Sequence, residues 1–257
     1  MPCQRRLLLC TLPALLWQPS ALIAEPLPAL RLVTGDLPPL AIPAEPGQPR
    51  GVLVDLTETL LKRAGMPVQT EFFPWARAML VASEKPRILI IPLTRTPERE
   101  ARFQWLIKLY VQHFVFMTLP GKPRVDSAEQ ARGLRVTVLR GSPNLAQLKQ
   151  RGFDEDRVYQ AASVNDMHRA LERGVVDALY GGELINTDTW RRSGRDVGQL
   201  QVGLTLESGD IWLAAQSGIT DAELARLHEH HEAMLADGSF ERAFKRYGIR
   251  VRPEDLR

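Results

Sequence analysis

Cysteine is almost missing: the 257 residues carry two, Cys3 and Cys10. Both fall in an N-terminal stretch with the marks of an export signal, so the chain from Glu25 onward has none. Disulfides, thiol nucleophiles and cysteine-held metals are thereby excluded from that part. A bias of charge is missing as well. Of 33 Lys and Arg against 30 Asp and Glu, only Arg5 and Arg6 lie in the leader, which leaves a net charge of +1 beyond it. That balance implies no nucleic-acid partner. After the leader no apolar run approaches membrane-spanning length. There is no phosphate loop, no zinc-protease motif, no Ser/His/Asp order and no short-period repeat.

The leader itself is easily read. Arg5 and Arg6 precede a mostly apolar stretch from Leu7 to Trp17, and Ser20-Ala21-Leu22-Ile23-Ala24 offers a small-residue cleavage region. Residues 1–24 are expected to be a signal peptide and the product periplasmic. The remaining 233 residues are enough for one large domain or two lobes.

Beyond Glu25 strands and helices alternate. Leu30 to Thr34 reads as a strand, Val52 to Ala64 as a helix with apolar residues at helical spacing, and Val68 to Phe73 as a strand. A helix opens at Pro74-Trp75, and Ile88-Leu89-Ile90-Ile91 reads as a buried strand. A β-prone segment, Val111 to Met117, ends this series, and Pro120-Gly121-Lys122-Pro123 punctuates it. A second series follows: strands at Leu134 to Leu139, Val158 to Gln160 and Gly174 to Tyr180, with helices after Pro143, Ser163 and Gly182. The pattern returns to β from Gln201 to Ala215 and closes with helices at Asp221 to Ala236 and Ser239 to Tyr247. This βαβα rhythm predicts mostly parallel sheets in two similar lobes.

The richest stretch is Leu93-Thr94-Arg95-Thr96-Pro97-Glu98-Arg99-Glu100. A buried strand ends, Thr96 suits an N-cap and Pro97 the first helical position, so Arg99 falls in a first turn. A planar five-donor fork beside free backbone N–H groups suits a carboxylate. In the Pro74-Trp75-Ala76-Arg77 run, Trp75 is a candidate cleft wall and Arg77 a second anion contact; the competing reading packs Trp75 in the core. The histidine cluster His228, His230 and His231 shares a helix with Glu229 and Glu232 but lacks a convergent partner, so it is read as a solvated face and no metal is expected.

Taken in order, several segments resemble the bacterial extracellular solute-binding proteins of family 3. They are Gly51-Val52-Leu53-Val54-Asp55-Leu56, Thr94 to Arg99, Gly133 to Ser142, Gly174-Val175-Val176-Asp177-Ala178, and Asp237-Gly238-Ser239-Phe240 with Lys245-Arg246-Tyr247-Gly248. The resemblance implies an α/β, two-lobe type II periplasmic-binding fold, each lobe a mostly parallel sheet flanked by helices, joined by two crossing strands. Lobe 1 would be discontinuous, residues 25–115 and 208–257, and lobe 2 would span 116–207. Ligand would bind in the cleft, with closure by hinge motion.

Residue by residue, the resemblance makes Arg99 the partner of a ligand carboxylate. Thr94 and the backbone at Pro92 would hydrogen-bond the ligand, and Ser142 beside Gly141 would meet the same carboxylate. The aspartate that usually holds a ligand ammonium falls at Gly182. Glu183 is the neighbouring substitute, although one residue turns a helical side chain by about 100°. Val52 and Leu37 stand where the family often has aromatics. The expected function is non-catalytic: capture of a small carboxylate-bearing, amino-acid-like solute by a monomer, without cofactor, and delivery to an ABC-type importer. The alternatives are a cyclohexadienyl-dehydratase-like lyase with Glu183 as general acid and Arg99 and Arg77 as clamps, or a ligand-sensing subunit of a membrane receptor.

Overall fold

The computed structural model describes residues 28–45, 48, 50–250 and 253–256. The leader with Cys3 and Cys10 lies outside them. The first α/β series comprises β1 (Arg31–Thr34), α1 (Val52–Arg63), β2 (Thr70–Phe72), α2 (Trp75–Glu84), β3 (Ile88–Thr94) and the single turn α3 (Pro97–Glu100). A long strand, β4 (Gln104–Thr118), leads out of it. The second series comprises α4 (Ala128–Arg132), β5 (Val136–Leu139), α5 (Asn144–Gln150), β6 (Val158–Ala161), α6 (Val164–Glu172), β7 (Ala178–Gly182) and α7 (Glu183–Arg192). A second long strand, β8 (Gln201–Ala215), returns to the first lobe, where α8 (Asp221–Ala236) and α9 (Ser239–Arg246) finish the chain.

The eight strands form one sheet in the order β2-β1-β3-β8-β4-β7-β5-β6. Within each series the pairs β1–β2, β1–β3, β5–β6 and β5–β7 are parallel. The long strands β4 and β8 pair antiparallel from Gln104↔Ala215 to Thr118↔Gln201, with register shifts along the way. They are the two crossings. The expected lobe boundaries near residues 115 and 208 fall inside them. The β4 strand begins earlier than its apolar run suggests, because its first half alternates half-buried Trp105 and Lys108 with buried Leu106 and Leu109.

One core fills the first lobe, from Leu32, Leu53 and Ile90 to Phe240 and Phe244 of the closing helix. Two smaller cores flank the second lobe's sheet, one around Phe116 and Tyr180, the other around Met117 and Trp190. Helix starts are held by side-chain caps: Ser127 and Thr220 form capping boxes, and Ser163 accepts from the Asp166 N–H. The strand expected from Gly174 starts only at Ala178. The N–H groups of Gly174 and Val175 are used to close α6 on Leu171 and Ala170, and Asp177 turns aside to grip Arg135.

Two segments far apart in sequence meet at the start of α1. Tyr247 Oη donates to Asp55 Oδ2 at 2.5 Å and accepts from the Gly51 N–H at 3.1 Å. Gly51 has φ +99°, and a Cβ there would lie 2.5 Å from the Leu40 carbonyl oxygen. No other residue fits that approach. Among the described residues no helix is long and apolar enough to cross a membrane.

Candidate functional site

Where the lobes face each other there is a cleft with about 450 Å³ of empty space. Strand ends and helix starts build it, as expected of an α/β sheet whose strands point toward a crevice. The first lobe supplies Leu37, Trp75, Pro92 and Thr94; β4 supplies Gln112 and Phe114; the second lobe supplies Ser142, Asn144, Met167, Gly182 and Asn186, among others. Pro92 lies where β3 slips register against β8, between Ile90 and Leu93. A proline has no N–H for the ladder, so the bulge turns backbone toward the cleft.

The lobes touch. Gly141 has φ +80°, and a Cβ on it would come within 3.1 Å of the Ala76 Cα in the opposite lobe. Gln150 Nε2 donates to Glu98 Oε1 across the same gap at 2.9 Å. Arg99 joins both sides: Nη1 donates to the Thr94 carbonyl at 3.0 Å and Nη2 to the Gly141 carbonyl at 2.9 Å. Its residue is 8% exposed. It has no carboxylate within ion-pair distance among the described residues. Burial pulls its pKa down to about 10, Arg102 adds to that, and Glu98 opposes it. A guanidinium so placed remains a cation at neutral pH.

Other expected residues divide. Thr94, Pro92, Ser142 and Trp75 line the cleft. Gly141 sits at its edge, where its carbonyl meets Arg99. Trp75 does both things expected of it, lining the cleft while packing in the first-lobe core. Ser142 Oγ donates to the Leu139 carbonyl and accepts from the Asn144 N–H, so it shapes the turn before α5. Arg77 does not reach the cleft: it is exposed, with its guanidinium over the Phe73 ring. Glu183 is outside the cleft lining as well, in a neighbouring recess shared with Gln112, His113 and Arg250. The one-residue step from Gly182 accounts for that, since it carries the side chain round the helix.

Sequence reading missed the amides. Gln112 is buried and its Oε1 accepts from Tyr110 Oη at 2.5 Å. Burial pushes the Tyr110 phenol far above its ordinary value, so it stays a donor. The Gln112 amide lies over Gly182, where an added Cβ would meet its nitrogen at 2.7 Å. Asn186 Nδ2 donates to the Gly182 carbonyl at 2.9 Å, and its Oδ1 meets His168 Nε2 at 3.2 Å. Burial lowers the His168 pKa to about 4, against a weaker opposing effect of the Asn186 bond, so the ring is neutral at pH 7. A polar residue inside the apolar run Val111 to Met117 was the available sign for Gln112. Asn186 had none beyond its place one turn after Gly182.

The model of the bacterial extracellular solute-binding proteins, family 3, matches residues 31–249. The chain belongs to that family. Solved structures with the same fold include the arginine-, lysine-, histidine-binding protein ArtJ from Geobacillus stearothermophilus: 17% identity, 89% of this chain and 99% of that one, TM-score 0.75. A histidine kinase sensor domain similar to periplasmic binding proteins shares 19% identity over 85% of this chain and 95% of its own, TM-score 0.74. The GluR0 ligand-binding core from Nostoc punctiforme, in complex with L-glutamate, shares 16% identity over 85% and 98%, TM-score 0.69. No curated protein matches the chain in sequence. The family model establishes a solute-binding family, and the structural likenesses a type II periplasmic-binding fold. The histidine cluster takes no part in the cleft: His228 Nε2 contacts the Leu106 carbonyl and His231 stands edge-on to Phe240.

Proposed function

We propose that this protein captures a small carboxylate-bearing solute between its lobes in the periplasm and presents the closed form to an ABC-type importer. The observation that carries this reading is Arg99, a buried cation that among the described residues has no acid partner and bonds only to carbonyls at the meeting of the lobes. A buried charge is costly unless paired, and a ligand carboxylate supplies the missing partner. The same residue touches both lobes, so a ligand on it would favour closure over opening. The signal-like leader and the family's extracellular character support the periplasmic location.

The sensor reading draws support from the likeness to a histidine kinase sensor domain. It shares the site and differs only in the partner that reads closure. The lyase reading needs a general acid in the cleft. The lining residues include no carboxylic acid and no histidine, and Glu183 faces another recess, which favours binding over catalysis.

The test is a thermal-shift panel of amino acids, small carboxylates, amines, sugars and prephenate. Ligand at 100 times its Kd stabilises by about 2.7 kcal/mol, visible as a raised midpoint. A carboxylate class should give the shift and Arg99→Ala should abolish it. Hits confined to amines or sugars would overturn the reading, and turnover of prephenate would replace it with the lyase.

A further inference from the structure

The corner of the cleft at Gly182 has donors where an ammonium needs acceptors. Tyr110 Oη occupies Gln112 Oε1, which leaves the Gln112 Nε2 hydrogens to face Gly182 and the cleft. Five oxygens nearby already accept one bond each: Asn186 Oδ1 from His168, the Gly182 carbonyl from Asn186, the Thr94 and Gly141 carbonyls from Arg99, the Leu139 carbonyl from Ser142. Residue 182 itself brings no acceptor side chain, and one placed there would have to displace the Gln112 amide. No acid lines this cleft among the described residues: Asp36 lies in an outer groove behind Leu37 and Trp75 with Arg192 acting on it, and Glu183 lines the neighbouring recess, whose wall Gln112 shares. An ammonium held at this corner would be buried against N–H groups without a counter-charge, the costliest arrangement for a charged group.

An oxygen acceptor meets the reverse situation. It would take a hydrogen bond from Gln112 Nε2 while the adjoining carboxylate pairs with Arg99. The remaining walls, among them Leu37, Trp75, Phe114, Met167 and Ile185, are apolar. Resting on the carboxylate reading above, we propose that the ligand is an α-oxygenated carboxylate, a 2-oxo or 2-hydroxy acid with an apolar side chain, and that Gln112 is the residue selecting oxygen over ammonium at the α position.

Two ligand sets of fixed side chain test this by titration calorimetry on the purified protein. One is 4-methyl-2-oxopentanoate, 2-hydroxy-4-methylpentanoate and leucine; the other is phenylpyruvate, phenyllactate and phenylalanine. The oxygenated acid should bind at least about tenfold more tightly than its amino acid, because a buried donor rejects a cation and accepts an oxygen. Equal or tighter binding of the amino acid overturns the proposal while leaving the carboxylate reading intact. Binding by no member of either set overturns it too, and the broader panel with Arg99→Ala then decides the carboxylate reading separately. Gln112→Glu keeps the size and the Tyr110 contact but replaces the donor with an acid. With folding checked by its melting temperature, this variant should shift the ratio toward the amino acid. An unchanged ratio would remove Gln112 from its role.

Discussion

Two arginines are buried in the first lobe, and their surroundings differ in one respect. Arg87 is 7% exposed and Arg99 8%. Each donates to backbone carbonyls, Arg87 to Pro28 and Gly218, Arg99 to Thr94 and Gly141. Arg87 also forms a two-pronged pair with Glu223, Nη1 to Oε2 at 3.1 Å and Nη2 to Oε1 at 3.0 Å. Arg99 has no such pair. One charge is neutralised inside the fold. The other has no acid partner among the described residues, and on the proposal above a ligand carboxylate would supply it at the lobe junction. Burial of a cation alone therefore does not mark a candidate binding residue; its lack of an internal acid at the junction is what singles out Arg99.

The comparison breaks most visibly at Arg87. Arg87→Ala strands the buried Glu223 carboxylate and should cost about 3–5 kcal/mol of stability in urea unfolding. Arg99→Met should do the opposite in the ligand-free protein. It removes an unpaired buried charge, so stability should stay within about 1 kcal/mol or rise, while carboxylate affinity falls by about 2 kcal/mol or more. A large loss of ligand-free stability in Arg99→Met would make Arg99 a second structural arginine.

Acid should sharpen the same contrast. The Arg87 guanidinium beside Glu223 holds its carboxyl down to about 2 from an ordinary 4.5. A carboxylate depressed on folding stabilises above its unfolded value, and that stability is lost as pH falls from about 4.5 toward 2. His168, in the second lobe, has its pKa lowered by burial from 6.5 to about 4. Its neutral ring stabilises above the unfolded value, and that contribution is lost earlier, between pH 6.5 and 4. Stability measured against pH should fall in two windows. Glu223→Gln should shrink the lower one, to which Asp177, held down to about 2 by its hydrogen bond to Arg135, also contributes, and His168→Asn, the smaller effect, should flatten the upper. A single window would refute the separation.

Much of the fold was legible before the structure. Apolar periodicity located α1, a continuous apolar run located β3, which is buried at every residue, and Asp237-Gly238 marked the end of α8. The crossings were visible only in part, since β4 leaves half-buried Trp105 and Lys108 outside any simple apolar run. Of the candidate site, the position of Arg99 and Thr94 at the lobe junction was legible because a strand, a cap and an arginine follow one another closely. Arg77 was misjudged because its stacking on Phe73 is a tertiary contact, and Glu183 because facing depends on helix phase. The amides Gln112 and Asn186 could not be read at all as a donor pair. Their meaning depends on which oxygens Tyr110 and His168 have already occupied, and sequence order does not record that.

The order of the strands also bears on how the chain is assembled as it leaves the ribosome or crosses a membrane. The first lobe needs β8 beside β3, and α8 and α9 against α1. Those pieces are made last. The second lobe's strands β5, β6 and β7 are contiguous in the chain and pair with one another directly. Synthesis from the N-terminus therefore delivers the contiguous β5–β7 part of the second lobe while the first still waits for β8 beside β3. Contacts that span most of the chain are the slow ones to form. The half that carries Arg99 is thus the half that is finished last, and a chain cut short before residue 201 would keep its α5–α7 region while lacking the strand and helices that complete the lobe holding Arg99.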